Sequence, residues 1–489
     1  MDANRHNFLR CAGICSALLI LTAANASAAE LRIGAATTNI TPDKPVALDG
    51  QFNMRISRGV DNPITATAVA IEARSGDRAV DQAILVSCDL VAIRPLILPP
   101  LRERLGKKLP DIDPRKVILT ATHTHTAPVT EEGKYPVPQE GVMQPREYVA
   151  FLLDRLEDVI ARAWQQRRPG GVGWALGHAV VGYNRRAVYA DGSAKMYGST
   201  SEPTFRGLEG GEDHGVEMLF FWDATNKPIA VGINVACPSQ EIEGRSTINA
   251  DFWHDVREQL HAGFSKDLFV LGWPGAAGDQ SPHRMYRKAA EERMLKLRGS
   301  TSTQEIARRI IREVNDVCEL ARSDIRTDVP FKHTVETLDL PVRKVTEKEV
   351  AEARSEIEAL DKKKSPAAET QRRRLWYQEA IDRYRNQEKE TTVPTEVHVL
   401  RIGEVAIATN PFELFLDYGV QIKGRSKALQ TFVLQLTGGS GGYLPTRRAV
   451  EGGGYSAVVQ SSPVGPEGGQ VLVDRTVELI NAMWPQSKR

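Results

Sequence analysis

The sequence predicts a mixed α/β fold, one large domain on a mixed sheet with flanking helices, and two observations carry that expectation. From residue 31 to about 335, apolar runs of strand length alternate with Gly, Pro and Asp punctuation. Residues 147–165 and 303–322 instead repeat apolar positions at helical spacing. With 489 residues, 41% of them hydrophobic and 26% charged, the chain is ordinary in composition and long enough to bury a large core. Subtracting 62 acidic from 63 basic residues leaves a formal charge of +1, which offers no electrostatic attraction to nucleic acid or an acidic membrane surface.

At the N-terminus Arg5 and Arg10 precede the apolar run Ala17-Leu-Leu-Ile-Leu-Thr-Ala, and the small-residue site Ala26-Ser-Ala follows. This is the build of a secretory signal over residues 1–28, and it predicts a periplasmic or secreted mature protein. The stretch Arg5-His-Asn-Phe-Leu-Arg resembles a twin-arginine signal with His6 at the second arginine. No later segment approaches the roughly 20 apolar residues of a membrane helix, so no integral span is expected. Loss of the signal removes Cys11 and Cys15 and leaves Cys88, Cys237 and Cys318, an odd number that argues against a disulfide framework.

Strands are expected at residues 68–73, 83–87, 116–120, 229–235, 268–272, 405–409 and 431–436, where apolar residues run together. Residues 345–390 differ. They are dense in Lys, Arg and Glu, with Val350, Ile357, Leu360, Leu375 and Ile381 spaced for helices, and predict a charged hairpin turning near Lys364-Ser-Pro. It is expected to be a solvated arm inserted into a single domain spanning residues 29–489.

The sharpest local signal is Thr122-His-Thr-His-Thr-Ala-Pro, directly after a strand. In extended backbone, positions two apart share a side, so His123 and His125 are expected to point into one site, for metal binding or paired acid and base work. Three more apolar runs end in a reactive residue within a Gly- or Pro-marked loop, namely Cys237, Glu413 and Tyr443. Sites in open α/β sheets gather at the carboxyl ends of strands, so these residues can meet although they lie far apart in sequence. Residues 273–283 add Asp279, Ser281 and His283 among small residues, and Gly182-Tyr-Asn-Arg-Arg adds cations able to hold a carboxylate or an oxyanion. Each residue type also has a plain structural use: a buried free Cys, a Glu that caps or pairs, a Tyr that packs.

In this order, residues 122–128, 183–185, 236–239, 278–282, 410–413, 442–446 and 453–455 resemble the catalytic domain of the neutral/alkaline non-lysosomal ceramidases, across essentially the whole mature chain. That family comprises secreted or surface zinc amidases that release a fatty acid from the sphingoid amine of ceramide. The resemblance implies Zn2+ held by His123, Cys237, Glu413 and Tyr443, with Cys237 standing where the family has a histidine, an exchange that zinc chemistry permits. It implies proton transfer or substrate contact by His125, oxyanion stabilisation by Tyr455, and a substrate or oxyanion contact by Arg185. Asp279 and Ser281 match the family's GlyAspxSerPro motif, whose serine competes with water as the attacking group. The family's C-terminal immunoglobulin-like domain has no room before Arg489, so the expected substrate is a small-molecule N-acyl amide or lipid, ceramide or a relative.

Two rival readings accompany this one. Gly438-Gly-Ser-Gly-Gly matches the nucleophile elbow of serine hydrolases, with Ser440 as nucleophile, although that motif needs a helix next and more glycines follow here. The exchange at Cys237 also suits a non-catalytic, ligand-binding relative.

Overall fold

The computed structural model describes residues 28–363 and 367–485; the expected signal through residue 27 and the turn at Lys364-Ser-Pro lie outside the described residues. Its centre is a twelve-stranded mixed sheet. In chain order the strands are β1 (Ala28–Asn39), β2 (Thr65–Ser75), β3 (Arg78–Cys88), β4 (Val117–Ala121), β5 (Arg168–His178) and β6 (Gly215–Asp223). They continue as β7 (Pro228–Val235), β8 (Phe269–Pro274), β9 (Asp328–Pro341), β10 (Thr392–Ile402), β11 (Val405–Thr409) and β12 (Gln430–Leu434). The helices are α1 (Leu98–Lys108), α2 (Pro145–Gln165), α3 (Phe252–Gly263), α4 (Lys288–Arg298) and α5 (Ser302–Arg322). After them come α6 (Glu347–Lys362), α7 (Ala368–Asn386), α8 (Leu416–Arg425), α9 (Arg447–Gly452) and α10 (Pro466–Asn481).

All seven expected strands are present. The alternating strands β1 and β9 escape a search for apolar runs, because exposed and buried residues interleave along them. β1 is nevertheless the branch point of the sheet. It pairs with β2 over residues 30–39, with β9 at residues 28–30 and with β5 at residues 31–33. Three limbs run on from there, through β3 and β4, through β6 to β8, and through β10 to β12.

Helices α1 and α2 bury Leu101, Leu105, Leu152 and Leu156 over the first limb, and α3 and α5 bury Trp253, Leu260, Ile310 and Val314 over the second. Helices α8 and α10 cover the third with Ile422, Leu472 and Val473. The faces turned inward share one core that includes Leu31, Val69, Leu219, Leu271, Leu400 and Phe432. Each limb ends in a parallel pair, β3 with β4, β7 with β8 and β11 with β12. Backbone bonds tie their carboxyl ends together: Ala121 N to Leu436 O at 3.2 Å, Gly438 N to Leu119 O at 2.9 Å and Gln435 N to Pro274 O at 3.1 Å. The loops after these strands therefore emerge at one place.

The charged hairpin is not the solvated arm that its composition suggests. Val350, Ala353 and Ile357 of α6 and Ala380 and Ile381 of α7 form a small core with Val459, and Arg383 donates to Val459 O at 2.6 Å. Its charged residues hide this seam, because the apolar positions are few and spread over two helices.

β9 and β10 carry a buried histidine pair. His333 Nε2 lies 3.0 Å from His398 Nδ1, and His398 Nε2 lies 3.1 Å from Glu396, which Arg102 of α1 grips at 2.7 and 3.0 Å. Burial pushes both imidazoles below their ordinary range. Their contribution to stability is complete above the unfolded value near 6.5 and is lost as pH falls through it, because only the unfolded chain takes up the protons readily. Urea unfolding from about pH 7.5 to about 5.5 is expected to show stability declining by up to about 1.4 kcal/mol per pH unit for each histidine. The decline should be shallower in His333→Gln, and identical pH slopes for the two proteins would clear the pair of this role.

Candidate active site

β4 stops at Ala121, and His123 takes a φ of 70°, in the left-handed region that residues other than glycine seldom occupy. The two imidazoles thus meet through a strained turn and not through strand alternation, with their Nε2 atoms 3.3 Å apart. His123 N donates to Leu90 O at 2.9 Å and its Nδ1 to Val91 O at 2.7 Å, which hold the turn and leave Nε2 as a bare lone pair. Thr124 and Thr126 fix the next two positions by donating to Asn249 O, each at 2.8 Å. Gly50 lies against the His125 ring, at φ 97° and so close that a Cβ there would come within 2.4 Å of Cγ.

His125 is oriented on both sides. Its Nδ1 faces Glu243 Oε2 at 2.9 Å, and its Nε2 accepts from Gln240 Nε2 at 2.7 Å. Arg185 Nη1 donates to Gln240 Oε1 at 3.1 Å, which fixes the amide and so places the His125 proton on Nδ1. Burial pushes His125 below its ordinary range. Burial also opposes the charge of Glu243, but the bond to His125 and the neighbouring His283 and Arg185 hold that carboxyl down to about 2.

Glu413 arrives from the loop after β11, where Glu413–Leu414 and Tyr443–Leu444 pair in parallel. Its Oε2 lies 3.6 Å from His123 Nε2 and 4.0 Å from Arg185 Nη2. Against the cost of burial, Arg185 and a bond from Tyr443 hold its carboxyl below the ordinary carboxylate range. Burial raises the Tyr443 phenol well above its usual range. Tyr455 packs edge-on to Tyr443 with ring centroids 5.7 Å apart.

A cavity of about 280 Å³ opens over this group, lined by His123, His125, Glu413, Ser440, Tyr443 and Tyr455. A larger one, about 520 Å³, lies by α4 and α5 and holds none of them. The other expected site residues sit elsewhere. Arg185 is fully buried and does not line the cavity; it donates to Gly278 O at 2.9 Å and Tyr443 OH at 3.3 Å, so it holds the site's residues and not a substrate. Ser281 is buried with its Oγ 2.9 Å from Tyr197 OH and 3.0 Å from His283 N, outside the cavity. Asp279 accepts from Leu416 N at 2.9 Å and Asn184 Nδ2 at 3.1 Å, and so anchors the start of α8.

Cys237 is not brought to the imidazoles. The chain turns directly after β7, with Cys237 N on Val235 O at 2.8 Å and Gln240 N on Pro238 O at 3.0 Å, and this swings the thiol into the core to donate to Val181 O at 3.4 Å. Gln240, three residues on, reaches His125 instead. Ser440 accepts from Arg94 Nη1 at 2.8 Å, and a two-residue strand follows it where an elbow needs a helix. Gln240 and Glu243 carried no motif signal, although both sit in the loop opened by Cys237.

A metal ion would have to be held by the donors that remain. His123 Nε2 faces Glu413 Oε2 across 3.6 Å, while His125 Nε2, 3.3 Å from His123 Nε2, is already occupied by the Gln240 amide. Among the described residues no group of three or more His, Cys, Asp and Glu side chains is arranged to hold a metal, so the fit requires Tyr443 as a donor beside His123 and Glu413.

This architecture is a known one. No family model and no curated protein matches the chain. Among solved structures, a ceramidase complexed with C2 matches with a TM-score of 0.65 and 15% identity over 93% of this chain and 75% of that one. A neutral ceramidase from Pseudomonas aeruginosa matches with a TM-score of 0.66 and 17% identity over 94% and 76%. The chain therefore has the ceramidase fold, and among its described residues no helix is long and apolar enough to cross a membrane.

Arg185→Met is expected to lower stability by about 3 kcal/mol or more, because Glu413 and the amide and phenol partners lose a buried cation together. Urea unfolding followed by near-ultraviolet circular dichroism checks this, and a change below about 1 kcal/mol would show that the site holds its shape without the guanidinium.

Proposed function

We propose that the protein is an exported, zinc-dependent amide hydrolase of the neutral ceramidase type, which cleaves an N-acyl amide to a carboxylate and an amine. The observation that supports this reading is the convergence of His123, Glu413 and Tyr443 beside an oriented His125, at a cavity floor, on a fold shared with solved ceramidases. His123, Glu413 and Tyr443 would hold the ion, which when bound supplies Lewis acidity to the scissile carbonyl and a more acidic water.

The protein's own groups do the rest. Glu243 holds the His125 ring from Nδ1 and Gln240 occupies Nε2, so the imidazole takes a proton from the attacking water once that water displaces the Gln240 amide at Nε2, and then delivers it to the departing nitrogen. Glu243, ionised beside Nδ1, stabilises the imidazolium that forms in between. The Tyr455 hydroxyl on the cavity wall donates to the developing oxyanion, a kind of contact worth about 3 kcal/mol. Arg185 acts through Tyr443 and Gln240 as a positioning residue.

Plasma mass spectrometry of the purified protein is expected to find about one zinc per chain, retained in Cys237→Ala and lost in Glu413→Ala. His125→Ala should keep the fold and lower kcat/KM on an N-acyl amide by about 100-fold or more. Zinc lost on Cys237→Ala would restore the thiol as ligand. A metal-free wild type that binds an acylated amine without turnover would make this a binding protein, and chelator-resistant activity abolished by Ser440→Ala would make it a serine hydrolase.

A further inference from the structure

The helical hairpin bears on what the site accepts. α7 brings Arg372 and Trp376 to the cavity. Trp376 stands edge-on to Phe52, with centroids 5.7 Å apart at 80°, and is tilted at 37° to Tyr455 at 5.7 Å. Phe52 closes the triangle with Tyr455 at 5.6 Å, and Arg373 lies 4.6 Å above the Phe52 ring. The core shared with Val459 fastens this roof to the loop that carries Tyr455.

Beneath the aromatic roof the cavity is hydrophilic. Its lining carries three cations, Arg94, Lys134 and Arg372, and three carboxylates, Glu131, Glu379 and Glu413, against Val91 and Pro463 as its aliphatic side chains. Lys134 bonds to the buried Asp49, and Arg94 reaches Asp49 at 3.7 Å and Glu131 at 3.5 Å. A lipid chain gains about 0.8 kcal/mol per methylene only where it leaves water for an apolar surface. Along this wall it would instead strip solvent from charges without replacing their hydrogen bonds. A compact polar group suits the charged lining, and a short chain or small ring suits the flat aromatic edges.

We infer that the site selects a short acyl group on a hydrophilic amine, not a long-chain sphingolipid, and that Trp376 and Arg372 of the inserted hairpin set this selectivity. The inference rests on the amide-hydrolase reading. In the reaction the water oxygen bonds to the acyl carbon, the carbon–nitrogen bond breaks, and both protons of the water end on the departing nitrogen, which leaves a carboxylate and an ammonium. No redox partner or co-substrate besides water is needed.

Full-length mature protein, loaded with zinc, is assayed on N-acetylglucosamine, N-acetylalanine, N-acetylsphingosine and N-palmitoylsphingosine, with the sphingosine amides in detergent micelles. The expected result is a kcat/KM for one of the two hydrophilic acetyl amides about 100-fold above that for N-palmitoylsphingosine, and which of the two is cleaved separates an amino sugar from an amino acid as the amine. Preference for N-palmitoylsphingosine would overturn the inference, and preference for N-acetylsphingosine would overturn its amine half. Cleavage of none of the four by folded, zinc-loaded protein would count against the amide-hydrolase reading itself. Trp376→Ala and Arg372→Ala, checked for fold by circular dichroism, are expected to raise KM for the preferred amide about tenfold, to change kcat less than about threefold and to narrow the gap to N-palmitoylsphingosine. Unchanged KM and an unchanged gap would remove the hairpin from substrate selection.

Discussion

One buried guanidinium joins the loops of this site. Arg185 donates to Gly278 after β8, to Gln240 after β7 and to Tyr443 after β12, and lies 4.0 Å from Glu413 after β11. Burial works against its charge, yet the tyrosines and Glu413 around it raise its proton affinity above the ordinary arginine value. Lysine could not take its place, since an ammonium is a point charge and this position uses the planar fork to reach separate loops at once. The positions of the site's carboxylate, phenol and imidazole-orienting amide are therefore coupled.

The sheet makes that convergence possible. Three limbs leave β1 and each ends in a parallel pair, so the loops after β4, β7, β8, β11 and β12 open at the same end. Closeness there is extreme enough to require glycine: a Cβ on Gly278 would lie 2.3 Å from Glu413 O. A left-handed non-glycine residue such as His123 costs about 1–3 kcal/mol and persists only when its surroundings over-determine it. Here the backbone bond to Leu90 and the ring bond to Val91 do so, and they also aim Nε2 at the cavity.

Much of this was legible in the residues. The apolar strands announce themselves, and the histidines, Glu413, Tyr443 and Tyr455 that line the cavity all belong to motifs. Side-chain direction after a strand is not written in residue type. Cys237 occupies a motif position, but a turn of two residues decides whether a side chain after β7 faces the site or the core, and no residue type records that turn. Gln240 and Glu243 were invisible because they act on His125 and not on a ligand. The hairpin was misjudged as solvated because a seam of a few aliphatic residues is swamped by charge in a composition count.

The floor of the cavity and its roof present opposite problems, and together they limit what can bind. One side of the cavity gathers two imidazoles and a carboxylate, with the Gln240 amide on His125, the Tyr443 phenol on Glu413 and Arg185 behind them. The rest of the lining pairs its charges internally, Lys134 and Arg94 with Asp49 and Glu131, and Arg372 with Glu379, and so attracts little net charge while still demanding hydrogen bonds from whatever displaces water. The aromatic edges of Phe52, Trp376 and Tyr455 supply the apolar contact in one cluster, with Arg373 over Phe52. A molecule that satisfies these surfaces together carries an amide, polar groups for the charged lining and one small apolar face for the aromatic cluster, which is the profile of a compact hydrophilic amide.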